Sequence, residues 1–135
     1  MEDVLTTTGY AIALKNMNAY FETHDVRYVA DDAVFINMGT GERTEGREAI
    51  GKMLDYFYHI AFDARAEFIN SIITEKKAMV EGLFVGKHIG EFAGLPATYK
   101  TVSVPLCVTY NIENGLIQEA RIYMLTDVLM QQLRG

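Results

Sequence analysis

The amino-acid sequence predicts an α+β domain: a cone-shaped, curved antiparallel sheet with three N-terminal helices packed on its concave face. Apolar residues recur with helical spacing in the first half of the chain and with a period of two in the second half. This segregation of helices and strands is typical of α+β domains. The strands of the second half also exceed the usual strand length, so we expect the sheet to curl and enclose a cavity.

The first half of the chain is predicted to hold three helices and one short strand. Residues 2–22 fit a first amphipathic helix, and residues 26–30 fit a short second helix. Residues 33–38 (AVFINM) are typical of a β-strand. The third helix is expected over residues 46–60, because apolar residues recur there at three- and four-residue spacing: Ile50, Met53, Leu54 and Phe57.

The second half is predicted to hold four long strands and a closing helix. The strands are expected at residues 62–74, 78–90, 99–112 and 116–125, and an amphipathic helix at residues 127–133. Along the first of these strands, every second side chain from position 62 to position 72 is expected to share one face. No repeat or flexible linker interrupts the pattern, so residues 1–135 are interpreted as one domain.

Composition excludes several classes of function. The chain has 12 basic and 18 acidic residues, which is the opposite of the balance that nucleic-acid binding requires. No apolar run reaches the roughly 20 residues that a membrane-spanning helix needs. The N-terminal segment is acidic and polar, unlike a secretory signal, and the single cysteine, Cys107, suits a reducing compartment. We therefore expect a cytoplasmic protein without nucleic-acid or membrane partners.

No pattern in the sequence predicts a metal or an organic cofactor. The histidines and Cys107 lack the spacing of a zinc site. The glycine-containing segment 39–41 is too short for a phosphate-binding loop and lacks the Lys-Ser/Thr that follows such loops. Any chemistry is therefore expected to come from the side chains of the protein alone.

A segment with fixed spacing of glycine, proline and polar residues occupies residues 86–102 (GKHIGEFAGLPATYKTV). It resembles the G-x-H-x-G-x-F-x-G-x-P-x-T-x-K segment of the SnoaL-like polyketide cyclases, which belong to the nuclear-transport-factor-like superfamily. The matched residues are Gly86, His88, Gly90, Glu91, Phe92, Gly94, Pro96, Thr98 and Lys100. Residues 114–119 (NGLIQE) and 132–133 (QL) continue the resemblance in register.

The resemblance implies both an architecture and a type of chemistry. It implies a cone of curved sheet and helices that is usually a homodimer through the outer face of the sheet. It also implies a cofactor-independent cyclase or isomerase that applies acid–base chemistry to a hydrophobic, polyketide-like carbonyl compound. Two alternatives stay open: a non-catalytic protein that binds a small apolar ligand, and an epoxide or lactone hydrolase. Because one fold supports many functions, the resemblance predicts the fold more directly than the activity.

The chain departs from the family pattern near its C-terminal end. At the positions where the family commonly has an aromatic residue and an acid, this chain has Arg121 and Leu125. The nearest acid is Asp127, two residues further on. Asp127 is a candidate general acid or base, and its position directly before Val128 also makes it a good N-cap for the last helix.

His88 is the first candidate catalytic residue. It shares a strand face with Gly82, Phe84 and Gly86, and two glycines on one face leave volume that suits the wall of a ligand site. The alternative interpretation is that His88 forms hydrogen bonds within the motif and that the glycines serve the curvature of the sheet.

Five further residues are predicted to contact the substrate: Asn37, Phe84, Arg121, Tyr123 and Tyr10. Asn37, Arg121 and Tyr123 are polar residues on strands that should border the cavity. Arg121 could instead pair with an acid on a solvent-exposed face, which is a common fate for an arginine on a strand. The remaining histidines, His24 and His59, lie near the ends of elements and are expected to be solvated.

Overall fold

The structure is a computed structural model that describes residues 2–135, with side chains described from Thr8 onward. The three α-helices are α1 (Glu2–Thr23), α2 (Arg47–Asp55) and α3 (Thr126–Arg134). The six strands are β1 (Val29–Asn37), β2 (Arg43–Glu45), β3 (Phe62–Ile73), β4 (Lys77–His88), β5 (Thr101–Glu113) and β6 (Leu116–Met124). Among the described helices, none combines the length and apolar character needed to cross a membrane.

The strands form one curved, unclosed sheet in the order β2-β1-β6-β5-β4-β3. The strands β3 to β6 form an antiparallel meander, as the sequence predicts. The α+β class is therefore confirmed. One detail of the prediction needs correction, because β1 runs parallel to β6 and the sheet is mixed. This pairing arises because the segment that contains α2 carries the chain across the sheet before the meander begins at the opposite edge.

The helices also differ from the prediction in two details. The segment predicted as a short second helix is a single 3₁₀ turn, Val26–Tyr28, after which β1 begins at Val29. Val29 and Ala30 are buried, so strand pairing places them in the core. The third predicted helix ends as α-helix at Asp55 and continues as a π-helical turn, Tyr56–Ile60. Two α-helices therefore precede the meander, and the third, α3, follows it.

One face of the sheet, here called the inner face, carries the helices and the core. The strict alternation of β5 places Val102, Val104, Val108, Tyr110 and Ile112 on this face, where all five are buried. One part of the core packs under α1 and α2, and a second packs under α3 and the π-helical turn. Burial of each large apolar side chain stabilises the fold by about 1.5–3 kcal/mol.

The period of two in β3 is broken by a bulge between Phe68 and Asn70. Phe68 pairs with Gly82, whereas Asn70 pairs with Glu81, so the alternation reverses at this point. Asn70 and Ile72 consequently lie on the outer face, and Ile72 is 66% exposed. The prediction that they share the face of Phe62 is wrong, because a single extra residue inverts every side chain that follows it.

The glycines of β4 bring the backbones of β3 and β4 close together. A Cβ atom built on Gly86 would lie 2.5 Å from Ala64 Cβ, and one built on Gly82 would lie 2.5 Å from the carbonyl oxygen of Glu67. The volume beside Gly82 and Gly86 that was predicted to suit a ligand is thus occupied by β3. The alternative interpretation of these glycines, curvature of the sheet, agrees with this geometry.

Candidate functional site

A cleft of about 360 Å³ opens between the end of α1, the beginning of β3, and α2 with the π-helical turn that follows it. Its wall is partly apolar, with contributions from Phe21, Val26, Leu54, Ala64 and Ala66. Polar side chains also line it: Glu22, His24, Asp55, Tyr58 and His59. Ligand sites in proteins combine an apolar surface with a few polar groups in this way. The cleft is therefore the candidate functional site.

The π-helical turn that follows α2 places two side chains in the wall of the cleft. The backbone N–H of Ala61 donates to the carbonyl of Tyr56 at 2.7 Å, a bond that spans five residues instead of the four of an α-helix. Tyr58 and His59 lie within this turn and both line the cleft. Turns of this kind occur frequently at functional sites.

His24 is the residue directly after α1, and its backbone is left-handed, with φ of 55°. Its N–H donates to the carbonyl of Tyr20 at 2.6 Å, which closes the helix. The imidazole stacks on the ring of Tyr58, with 4.5 Å between ring centroids, and meets the edge of Tyr20 at 5.2 Å. Two aromatic side chains thus hold the ring of His24 at the cleft.

Burial keeps both members of this stacked pair uncharged at neutral pH. Desolvation, reinforced by repulsion from His59, lowers the pKa of His24 to about 4. Desolvation also raises the pKa of Tyr58 to about 12. At pH 7 the cleft therefore presents a neutral imidazole, with one donor and one acceptor nitrogen, beside a phenol that retains its proton.

Sequence reasoning missed His24, because its surroundings come from segments distant in the chain. His59 is exposed, as expected, whereas His24 is half-buried against Tyr58. The available signal was the position of His24 just after a predicted helix, where a left-handed residue often ends the helix and glycine is usual.

His88 lies in the core, fully buried and outside the cleft. The backbone N–H of Thr98 donates to its Nδ1 at 3.1 Å, and the Thr98 hydroxyl lies 2.9 Å from the same nitrogen. Since Nδ1 accepts a hydrogen bond from an N–H group, the proton of the neutral ring is assigned to Nε2. Nε2 has no partner within the described part of the chain, and the ring packs on Phe62 at 5.2 Å.

The remainder of the motif forms a loop that His88 and Thr98 hold closed. Its tip is a tight turn at Ala93 and Gly94, where both residues have positive φ and Phe92 pairs with Leu95. Phe92 also packs on Phe62, with 5.3 Å between centroids. These contacts agree with the alternative interpretation of His88 as a residue hydrogen-bonded within its own motif.

Asp127 is exposed in the first turn of α3 and does not cap it. The cap position is Leu125, and no side chain makes a capping hydrogen bond there. An acid in the first turn still stabilises a helix through the helix dipole, typically by about 0.3–1 kcal/mol. The structure does not bring Asp127 together with His88 or with the cleft.

None of the five predicted substrate-binding residues lines the cleft. Arg121 and Tyr123 pair with Thr109 and Cys107 on the outer face, and Arg121 forms an ion pair with Glu119 at 3.0 Å. Successive side chains of a strand point to opposite faces of the sheet. The sequence shows that Arg121 and Tyr123 share one face, but it does not show which face that is.

The other three have identifiable structural contacts or positions. The Asn37 side chain accepts a hydrogen bond from the N–H of Gly39 and so closes a turn. Tyr10 is 40% exposed on α1. Phe84 is buried on the inner face, where it contacts the ring of Tyr58 at 5.4 Å. Phe84 therefore packs on Tyr58, a residue of the cleft, from the side of the core.

Metal ligation has no candidate in the part of the chain that is described. No group of three or more His, Cys, Asp or Glu side chains is placed there so as to hold a metal ion.

Comparison with known families identifies residues 11–133 as a SnoaL-like polyketide cyclase domain. No curated protein matches the sequence. Among solved structures, a candidate SnoaL-like polyketide cyclase from Jannaschia sp. CCS1 is 15% identical, with a TM-score of 0.82 over 92% of each chain. A candidate polyketide cyclase from Xanthomonas campestris is 19% identical, with a TM-score of 0.80 over 93% of this chain and 98% of that one.

A phenazine biosynthesis-related protein from Pseudomonas aeruginosa has the same fold. It is 14% identical, with a TM-score of 0.81 over 96% of this chain and 89% of that one. At such identities the structural similarity establishes the fold alone.

The contact between His88 and Thr98 predicts a coupled loss of stability. His88→Ala is expected to lower the free energy of unfolding by about 2–4 kcal/mol, because it empties a buried site. Thr98→Val should cost about 1 kcal/mol by removing the hydroxyl. In urea unfolding, the double variant should lose less than the sum of the two single variants. Strict additivity would contradict the contact, and Thr101→Val, at an exposed position, is the control.

The lowered pKa of His24 predicts a pH-dependent stability. The folded state disfavours protonation of His24, so protons bind preferentially to the unfolded chain. The free energy of unfolding therefore has its full value above the unfolded pKa of about 6.5 and decreases as pH falls towards 4. The full loss is at most about 3 kcal/mol. Denaturant unfolding of wild type and His24→Gln between pH 4.5 and 7.5 measures it. The difference in unfolding free energy between the two proteins should change over this range; a constant difference would refute the buried, neutral state.

Proposed function

The chain belongs to the SnoaL-like polyketide cyclase family, and we propose that it is a cofactor-independent cyclase or isomerase acting on a hydrophobic, carbonyl-bearing small molecule. The observation that carries this proposal is the cleft, which places neutral proton-bearing groups beside apolar side chains. Its single cysteine suits a reducing compartment, and we propose the cytoplasm as its location.

The volume of the cleft limits the size of the substrate. A cavity of 360 Å³ is near the lower end of the range for small-molecule sites. The proposed substrate is therefore a compact small molecule.

The reaction requires two kinds of group, and the cleft supplies both. Proton abstraction next to a carbonyl needs a base, and the resulting enolate oxygen needs a hydrogen-bond donor. Imidazole and phenol are suited to these roles, and no charged residue is required at the reacting atoms. The catalytic roles predicted for His88 and Asp127 stay predictions from the family resemblance; the contacts of His88 support a structural role.

One observation favours the alternative of a non-catalytic binding protein. The position where the family commonly has an acid is Leu125, which is 54% exposed, and the nearest acid, Asp127, lies on an outer helix turn. A protein without the acid could retain the cleft and bind its ligand unchanged. The hydrolase alternative has less support, because the two cleft carboxylates, Glu22 and Asp55, are both exposed.

The outer face of the sheet supports the proposal of a homodimer. Apolar side chains from three strands lie together there, since Leu83 pairs with Pro105 and Cys107 pairs with Tyr123. Val85 is half-buried on the same face, and Tyr123 is 46% exposed. Contiguous apolar surface of this kind marks interaction sites in soluble proteins.

Filling the cleft is expected to abolish ligand binding. Ala66→Phe introduces a ring into the cleft, and Ala97→Leu enlarges a half-buried residue outside it as a control. Compact aromatic ketones and 1,3-dicarbonyl compounds, followed by amide NMR shifts, should perturb wild type and Ala97→Leu near residues 21–26 and 54–59, and should leave Ala66→Phe unperturbed.

Turnover distinguishes the enzyme from the binding protein in the same samples. An enzyme converts the added compound into a product of the same mass with a different retention time. Binding without conversion for every compound that perturbs the cleft would favour the non-catalytic alternative. Equal perturbation of Ala66→Phe and wild type would contradict the assignment of the cleft.

The homodimer is tested by light scattering after size-exclusion chromatography. Wild type should have twice the chain mass of 15.2 kDa, and Val85→Glu should have the mass of one chain, because a carboxylate at this position would have to be desolvated in the interface. Ile12→Glu, on the exposed side of α1, is the control and should remain dimeric. A monomeric wild type at high micromolar concentration would refute the proposal.

A further inference from the structure

We propose that His24 is the residue that moves the proton in the cleft, and that Tyr58 donates a hydrogen bond to the oxygen that becomes negative. The inference rests on the proposed function and assigns its central step to residues outside the family motif.

The imidazole of His24 is available to a ligand, in contrast to that of His88. Nδ1 of His88 is occupied by Thr98, and the ring lies within the core. His24 lines the cleft, and within the described part of the chain its ring nitrogens make no hydrogen bond. His24 is also fixed in orientation, because its ring stacks on Tyr58 and meets the edge of Tyr20.

His24 has a left-handed backbone conformation at the end of α1, with φ of 55°. A left-handed conformation costs a residue with a Cβ atom about 1–2 kcal/mol, and glycine would avoid this cost. The flanking residues hold the turn in place, since Thr23 Oγ1 accepts from the N–H of Asp25 and the Asp25 carboxylate accepts from the N–H of Arg27. Strain that the surroundings enforce in this manner is concentrated at functional sites.

The surroundings of His24 determine its charge in the cleft. The titratable groups that face it come from α1, α2, the π-helical turn and β3: Tyr20, Glu22, Asp55, Tyr58, His59 and Arg65. Arg65 is paired with Glu67. Burial has the largest effect on the pKa of His24 and repulsion from His59 adds to it, so the ring is neutral at pH 7 with a free lone pair.

A neutral imidazole with a lowered pKa is a weak base, and this property determines which compounds can test the proposal. It can remove a proton only from a carbon that is already acidic, as is the carbon between two carbonyl groups. Once protonated, the same imidazole is a strong acid that returns the proton readily. A 1,3-dicarbonyl compound, which has such a carbon, is therefore the probe with which the proton transfer is tested.

The step balances without a co-reactant. His24 takes the proton from the carbon between the carbonyls, and the electron pair of that C–H bond forms a C–C bond to the carbon of a third, more distant carbonyl. The π electrons of this carbonyl move to its oxygen, which takes the proton back from His24. Tyr58 donates a hydrogen bond to the enolate oxygen formed on the way. The product is a cyclic isomer of the substrate.

The test uses a triketone deuterated between two of its carbonyls and follows both loss of deuterium and ring closure. His24→Gln should lower both rates by 100-fold or more, within the range typical of a lost acid–base group, while NMR shows that the ligand still binds. Tyr58→Phe should lower ring closure by at least 10-fold. Tyr99→Phe, at an exposed tyrosine, is its matched control and should match wild type.

A pH profile separates a proton-transfer role of His24 from a structural one. In wild type, kcat/KM should fall as pH decreases through about 4, because the base becomes protonated. In His59→Gln the repulsion is removed, the pKa of His24 rises, and this limb should move to higher pH. Wild-type exchange rates in His24→Gln, or an acid limb that His59→Gln leaves in place, would overturn the inference while the proposed function stands. Absence of binding in wild type would overturn the proposed function itself.

Discussion

The close contact between β3 and β4 is the constraint on which the rest of the structure depends. Glycines at positions 82 and 86 let the backbones approach to distances that any side chain would prevent. A third glycine, Gly90, continues this approach beyond the strand, where an added Cβ would lie 2.4 Å from the carbonyl oxygen of Ile60. Tight pairing at this edge supports the curl of the sheet, and the curl positions the π-helical turn opposite the end of α1. The cleft exists between these two elements.

Much of the fold follows from the sequence because long strands with one buried face leave a regular pattern. The predicted ends of the strands in the meander lie within a few residues of the observed ends, since alternation along β4 and β5 is unbroken. Two features could not be predicted. The bulge near Ile69 has no signal in composition, and the parallel pairing of β1 with β6 depends on how the segment before β3 crosses the sheet.

The site was harder to predict than the fold for a physical reason. The motif around His88 is a local sequence pattern, and its residues contact one another; it therefore identifies the family and the loop. The cleft joins Phe21, Tyr58 and Ala64 from separate elements, and the charge state of His24 depends on its burial there. No spacing in the sequence encodes such an environment. Likewise, the face of the sheet on which Arg121 and Tyr123 lie follows only from the register of β6 with β5.

The π-helical turn has a consequence for how the site could diverge among relatives. Because its hydrogen bond spans five residues, the turn holds one residue more than an α-helical turn of the same rise. Loss of one residue would rotate each of its remaining side chains by about 100° around the helix axis. Tyr58 and His59 would then leave the cleft and the contact of Tyr58 with Phe84 would be lost, while the backbone pairing of the strands would be kept. A single-codon deletion could therefore exchange the polar wall of this cleft for another without a change in the fold.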